Sequence, residues 1–337
     1  MIISRVLLLC SVIGLAALPV SAQQYTIKFA TLAPEGSTWV KIMRDFDKAV
    51  RTESGGRLGF KVYPGGVAGD EKDVIRKIRL GQYGGGGFTG VGIGEVAKKV
   101  RILDAPLFFK NYDEVEYIEQ KYDADFNKAL ADGGFVLLGW AEVGFIYVFS
   151  SKQVTTFADL KTLKAWMWEG DPIAQAAYQA IGVSPVPLSI TDVMTSLQTG
   201  MVDSVYSSPY ALIALQWFTR VGYAMTQPLA DALGAAVISK KIYDSLPDDL
   251  KNILTTNAKK YLALLAASSR LDNAKALETL KQRGMKFVPA PKEMASEFDT
   301  IGTKARQLLV GNLFSQEFLD EVEGSLRTYR QAHPAGK

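Results

Sequence analysis

The chain has 337 residues, 48% of them hydrophobic, with one cysteine, one histidine and a formal net charge of +3. That length and apolar content suit two lobes with real cores and argue against disorder, while so small a charge points to neither nucleic acid nor an anionic membrane as a partner. With His333 alone in a polar tail and Cys10 alone near the start, no Ser/His/Asp triad, histidine metal cluster, thiolate chemistry or disulfide can be assembled, so no catalytic residue, metal or cofactor is expected.

Residues 1–22 have the pattern of a secretory signal: Arg5, an apolar stretch from Val6 to Leu18, and small residues Val20-Ser21-Ala22 at the cleavage point. Cleavage near Ala22 removes Cys10. No later segment offers about 18 uninterrupted apolar residues, so direct membrane insertion is not expected. Tyr25 to Thr31 alternates as a strand, and Ser37 precedes a helix whose stripe is Val40, Met43, Phe46 and Val50. Leu58 to Tyr63 forms a second strand, and Asp70 suits the N-cap of a helix burying Val74, Ile75 and Ile78. This order predicts an α/β lobe with parallel pairing.

Glycines at 84–87, 90, 92 and 94 include a GxGxxG match at Gly85, Gly87 and Gly90. A dinucleotide loop must leave a strand and open a helix, whereas here a helix precedes the glycines, so the match is set aside. Phe135 to Trp140 and Phe145 to Ser150 are strand-like, and the four residues between them are a place for the chain to cross between lobes. Trp166 to Trp168 is a further strand, running into the Asp171-Pro172 helix start. From about Asp248 to Arg283 the pattern stays helical; at about 1.5 Å per residue it reaches roughly 50 Å, enough to brace two lobes.

Several stretches, in this order, resemble the solute-binding receptor of a tripartite ATP-independent periplasmic (TRAP) transporter: Phe29-Ala-Thr-Leu-Ala-Pro, Tyr63-Pro-Gly-Gly-Val-Ala-Gly-Asp-Glu, Leu103-Asp-Ala-Pro-Leu-Phe-Phe, Phe157-Ala-Asp-Leu-Lys and Leu197-Gln-Thr-Gly-Met-Val-Asp. The resemblance implies an α/β, two-lobed periplasmic-binding-protein-like fold with a cleft between the lobes and a long helix spanning both. It places residues 23–143 and about 229–260 in lobe I, 144–228 and about 285–330 in lobe II, and the long helix at about 248–283. It also implies a periplasmic location, no enzyme activity, a small-molecule ligand captured by lobe closure, and TRAP membrane permease subunits as partners driven by an ion gradient.

Most such receptors bind organic acids, and the resemblance implies an arginine two residues after the lysine of a Lys-x-Arg strand, since a planar guanidinium grips a carboxylate at two points. Here Lys164 is followed by Ala165 and Trp166. A second polar position corresponds to Ile146, and the segment after Asp203 becomes Ser204 to Pro209, with Tyr206, Ser207 and Ser208. With Trp168 and Tyr210 these residues make an aromatic cleft, so the expected ligand is hydrophobic or amphipathic. Glu142 and Glu169 are placed at the cleft rim, where an acid contacts a ligand amine or hydroxyl or stays solvated. The alternative is an organic-acid receptor with a relocated arginine such as Arg220; a remote one is a secreted glycosidase pairing Glu142 with Glu169.

Overall fold

The computed structural model describes residues 24–290 and 292–334; the secretory-signal segment 1–22 lies outside them. In chain order the first part runs β1 (Tyr25–Thr31), α1 (Thr38–Glu53), β2 (Leu58–Tyr63), α2 (Glu71–Arg79), β3 (Gly85–Thr89), α3 (Gly90–Gly94), a 3-10 turn at Lys98–Asp104, α4 (Tyr112–Lys121), α5 (Asp123–Asp132) and β4 (Phe135–Trp140). The second part runs β5 (Gly144–Ser150), α6 (Phe157–Lys161), β6 (Trp166–Trp168), α7 (Pro172–Ile181), β7 (Val186–Leu188), α8 (Val193–Thr199), β8 (Ser204–Ser207), α9 (Pro209–Ala214), β9 (Tyr223–Met225) and β10 (Ala230–Ala232). It closes with β11 (Gly234–Ser239), α10 (Lys240–Ser245), α11 (Asp248–Gln282), β12 (Lys286–Val288), α12 (Lys292–Leu309) and α13 (Gln316–Ala332).

Two five-stranded sheets result. The first has the order β2-β1-β3-β11-β4; the second has β10-β5-β9-β12, with β8 also on β5. The β1, β2 and β3 strands are parallel, as strand-helix-strand alternation requires, whereas β11 returns from the other lobe and lies antiparallel to β3 and β4. The chain crosses between sheets twice through short segments, from Trp140 to Gly144 and from Ala232 to Gly234.

The third connection is α11, a 35-residue helix packed on α1 and β4 at one end and on α9 of the second lobe. Asn273 of α11 pins this junction: its amide donates to the Val143 carbonyl at 2.8 Å, and its oxygen accepts from the Tyr210 amide at 3.0 Å. Gly144 sits at φ +104° against that same amide, in backbone territory that favours glycine.

Local sequence chemistry accounts for α1, where Ser37 caps the Val40 amide at 3.3 Å and Val40, Met43, Phe46 and Val50 are buried. Two expectations are corrected. A helix, α2, does precede the glycines, but they also leave a strand and open a helix: Gly85 to Thr89 is β3, a central strand, and Gly90 opens α3. The glycines of β3 are demanded by packing, since a side chain at Gly85 would meet the Val237 carbonyl, at Gly86 the Phe88 ring and at Gly87 the Trp39 ring.

Nor does the whole 285–330 segment lie with the second lobe. While α12 packs on α7, α13 packs on α4, because its stripe of Phe318, Leu319, Val322 and Leu326 joins the first-lobe core around Val115, Tyr122 and Phe126. No helix among the described residues is long and apolar enough to cross a membrane.

Candidate ligand-binding cleft

Between the sheets lies a cavity of about 500 Å³, within the range of small-molecule sites. Its second-lobe wall is built on β6 and β8. The Trp166 ring stacks on Tyr206 with centroids 4.7 Å apart and 19° between planes, and meets Trp217 edge-on at 5.4 Å. Polar edges fix these rings in place: the Trp166 indole nitrogen donates to the Leu188 carbonyl at 3.0 Å, the Tyr178 hydroxyl donates to the Trp166 carbonyl at 2.8 Å, and the Tyr206 hydroxyl accepts from the Trp168 amide at 3.1 Å. Trp166 is only 1% exposed and packs with Val193, Leu197 and Val205, so one indole serves as lobe core and cavity wall together.

Contacts across the cleft hold the two lobes together. The Trp168 indole nitrogen and the Ser189 hydroxyl of the second lobe both donate to the Asp70 carboxylate of the first, Ser189 at 2.6 Å. The Thr38 amide donates to the Tyr210 hydroxyl at 3.1 Å, and Lys72 donates to the Gly170 carbonyl at 3.1 Å.

Arg101 is the only basic side chain among the described residues that line the cavity. At 3% exposure it is held by Asp104 of its own lobe and, at 2.9 Å, by Asp171 of the other. Burial alone would weaken its hold on the proton, but the Asp171 and Asp104 carboxylates more than reverse this, and its pKa rises above the ordinary arginine value. Two of its three nitrogens, Nε toward Asp104 and one Nη toward Asp171, are therefore engaged by the protein itself.

Of the residues singled out in the sequence, Trp166, Trp168, Glu142, Ile146, Tyr206, Ser207, Ser208 and Tyr210 all line the cavity. Ser208 caps α9, accepting from the Ala211 amide at 3.3 Å, while the Ser207 hydroxyl takes no hydrogen bond among the described residues. Glu169 is corrected: it is exposed and lies outside the lining, because the strand ends at Trp168 and the turn at Gly170 carries residue 169 outward. Glu142 is not at a solvated rim; it is 4% exposed and bound by Arg270 of α11. Burial raises the Glu142 carboxyl despite that arginine. Glu142 and Glu169 thus share no site, and Arg220 is exposed and outside the lining as well.

Sequence reasoning missed Arg101, Asp70 as a cross-cleft acceptor, Asn273 and Asp231. Only Asp70 had a signal, and that signal pointed to a helix cap. Among the described residues no group of three or more His, Cys, Asp or Glu side chains is placed to hold a metal.

Two lobes latched over a cavity are the architecture of a solute receptor. A model of the bacterial extracellular solute-binding proteins, family 7, matches residues 29–307. The chain is 24% identical over 315 residues to the 2,3-diketo-L-gulonate-binding periplasmic protein YiaO of Escherichia coli (strain K12), covering 88% of this chain and 91% of that one. Against the C4-dicarboxylate-binding periplasmic protein DctP of Rhodobacter capsulatus it is 24% identical over 276 residues, covering 80% and 81%. Its fold matches the sugar acid binding protein DctPAm of Advenella mimigardefordensis, solved in complex with galactonate, with a TM-score of 0.84 at 19% identity over 91% of this chain and 99% of that one. The chain belongs to family 7 of the bacterial extracellular solute-binding proteins, as a receptor of the TRAP type and not an enzyme.

Proposed function

We propose that this receptor works in the periplasm, closes its lobes over a hydrophobic or amphipathic solute, and delivers it to TRAP membrane permease subunits. The observation that carries the ligand class is the state of the cavity's cation. Trp166 stands where the family resemblance implies an arginine, and Arg101, the one basic group among the described residues of the lining, is already shared between Asp104 and Asp171. A carboxylate entering the cleft must compete with those two buried carboxylates for the guanidinium, so its lost hydration is poorly replaced. Apolar contact supplies the grip instead: burying about 300 Å² of ligand on the tryptophan and tyrosine faces contributes roughly 7 kcal/mol before association costs.

A second reading is favoured by the relatives, whose names and bound ligands are acids: 2,3-diketo-L-gulonate, C4-dicarboxylates and galactonate. For this chain that reading requires the acid to share Arg101 with Asp104 and Asp171. Calorimetric titration of the purified protein with galactonate, succinate and phenethyl alcohol separates the two. Binding of the alcohol alone supports the first reading, and binding of either acid alone overturns it.

A further inference from the structure

Among the described residues, two side chains of the cavity wall hold buried carboxyl oxygens without a hydrogen-bond partner. Asp231 of β10 is 1% exposed and both of its oxygens are unpaired; one oxygen of Asp272 on α11 is buried in the same condition. Both residues line the cavity. The other acidic groups of the lining are engaged. Glu71 accepts from the Thr89 amide, the Thr89 hydroxyl and the Gly92 amide, each at 2.8 Å; Glu142 is bound by Arg270, and Asp104 and Asp171 share Arg101. The wall is therefore acidic beyond what its own cations neutralise, and the surplus sits at the strand crossing, where Asp231 faces Phe145 of β5 in register. A buried polar group left unpaired costs about 1–3 kcal/mol, and more for a charged group, so its retention asks for a partner.

We propose that Asp231 is the polar anchor of the site and receives a protonated amine carried on an aromatic or aliphatic body, with Asp272 adding negative charge to the same cavity. The apolar body rests on the reading given under Proposed function; the ammonium head is the new element. An ammonium offers three donors to the unpaired oxygens, where a hydroxyl offers one and a carboxylate none. The tryptophan and tyrosine faces lining the cavity also attract cations.

The surroundings of Asp231 fit this role. Burial, reinforced by Glu142, Asp104 and Glu119, holds its carboxyl well above the usual range, and Arg270 alone pulls the other way. The Tyr112 hydroxyl on α4 is raised by its own burial and by Asp231. As the ammonium arrives, the carboxyl releases its proton to solvent and the carboxylate pairs with the cation, so binding is accompanied by proton release.

The test uses purified protein and two matched series: phenethylamine, phenethyl alcohol and hydrocinnamate; octylamine, octanol and octanoate. Calorimetry in buffers of different ionisation heat reads affinity and proton release together. In at least one series the amine is expected to bind about tenfold more tightly than the alcohol, to release protons, and to lose its advantage over the alcohol in Asp231→Asn. Equal binding of amine and alcohol, or an amine advantage that survives Asp231→Asn, overturns the assignment and leaves the apolar reading standing. Preference for the acids, or no binding in either series, counts against both.

Discussion

The Trp168 indole nitrogen of the second lobe lies 3.2 Å and 3.1 Å from the two carboxylate oxygens of Asp70, which stands at the N-cap position of α2 yet makes no side-chain hydrogen bond to that helix. A residue suited to capping its own helix has been turned across the cleft, where Ser189 reaches it as well. Asp70 is thus placed to favour the closed form over the open one.

Replacing Asp70 by serine separates the two uses, because serine caps a helix equally well but is too short to reproduce the cross-cleft bonds. The expected result is an unchanged melting temperature with ligand affinity lowered about fivefold to thirtyfold, the worth of roughly one to two hydrogen bonds. Small-angle scattering should show a more open average shape. A large loss of thermal stability would instead make Asp70 a structural cap.

Arg101 joins the lobes through a charge cluster, and cutting its centre leaves two buried carboxylates facing each other. Arg101→Gln is therefore expected to destabilise the protein by about 3–5 kcal/mol in urea unfolding. The double change Asp104→Asn with Asp171→Asn, which leaves a lone guanidinium, should free that cation and raise the affinity for acids such as galactonate.

Trp166 has two jobs, and a size series distinguishes them. Trp166→Ala should cost about 3–5 kcal/mol of stability, because it empties a packed site in the second lobe. Trp166→Phe keeps a ring against Tyr206 and should fold, with affinity for an apolar ligand reduced less than tenfold. Equal affinity in all three proteins would remove Trp166 from the binding surface.

The pH dependence of stability carries a signature of Asp231. Its carboxyl is raised far above the ordinary 3.8 by burial first, so the folded state holds a proton that the unfolded chain has released. Stability from this group is full below about pH 4 and is lost as pH rises toward the folded value. Asp231→Asn should melt higher than wild type at pH 8, with the gap closing toward pH 4. A constant gap across that range would mean the carboxyl is not protonated in the folded protein.

The elements were legible where the signal is local. Ser37 before the stripe of α1, Asp171-Pro172 before α7, and the unbroken pattern of α11 each carry their cause within a few residues, and the aromatic residues of β6 and β8 did reach the cavity. What was not legible is set by partners distant in the chain. Glu142 and Glu169 look alike in sequence, each beside a strand end, and only Arg270 on α11 separates a buried ion pair from an exposed side chain. The same holds for Arg101, whose role depends on Asp171 in the other lobe, and for β3, whose glycines have no hydrophobic period because their neighbours fill the space of the missing side chains.

The central claim, that the cavity grips its guest by apolar surface because its guanidinium is already spoken for, is tested most directly by native mass spectrometry of freshly purified protein, followed by solvent extraction of whatever it carries. The account predicts a compound with an aromatic or aliphatic body and no carboxylate. Recovery of a sugar acid or a dicarboxylic acid, bound one to one and lost on Arg101→Gln, would contradict it.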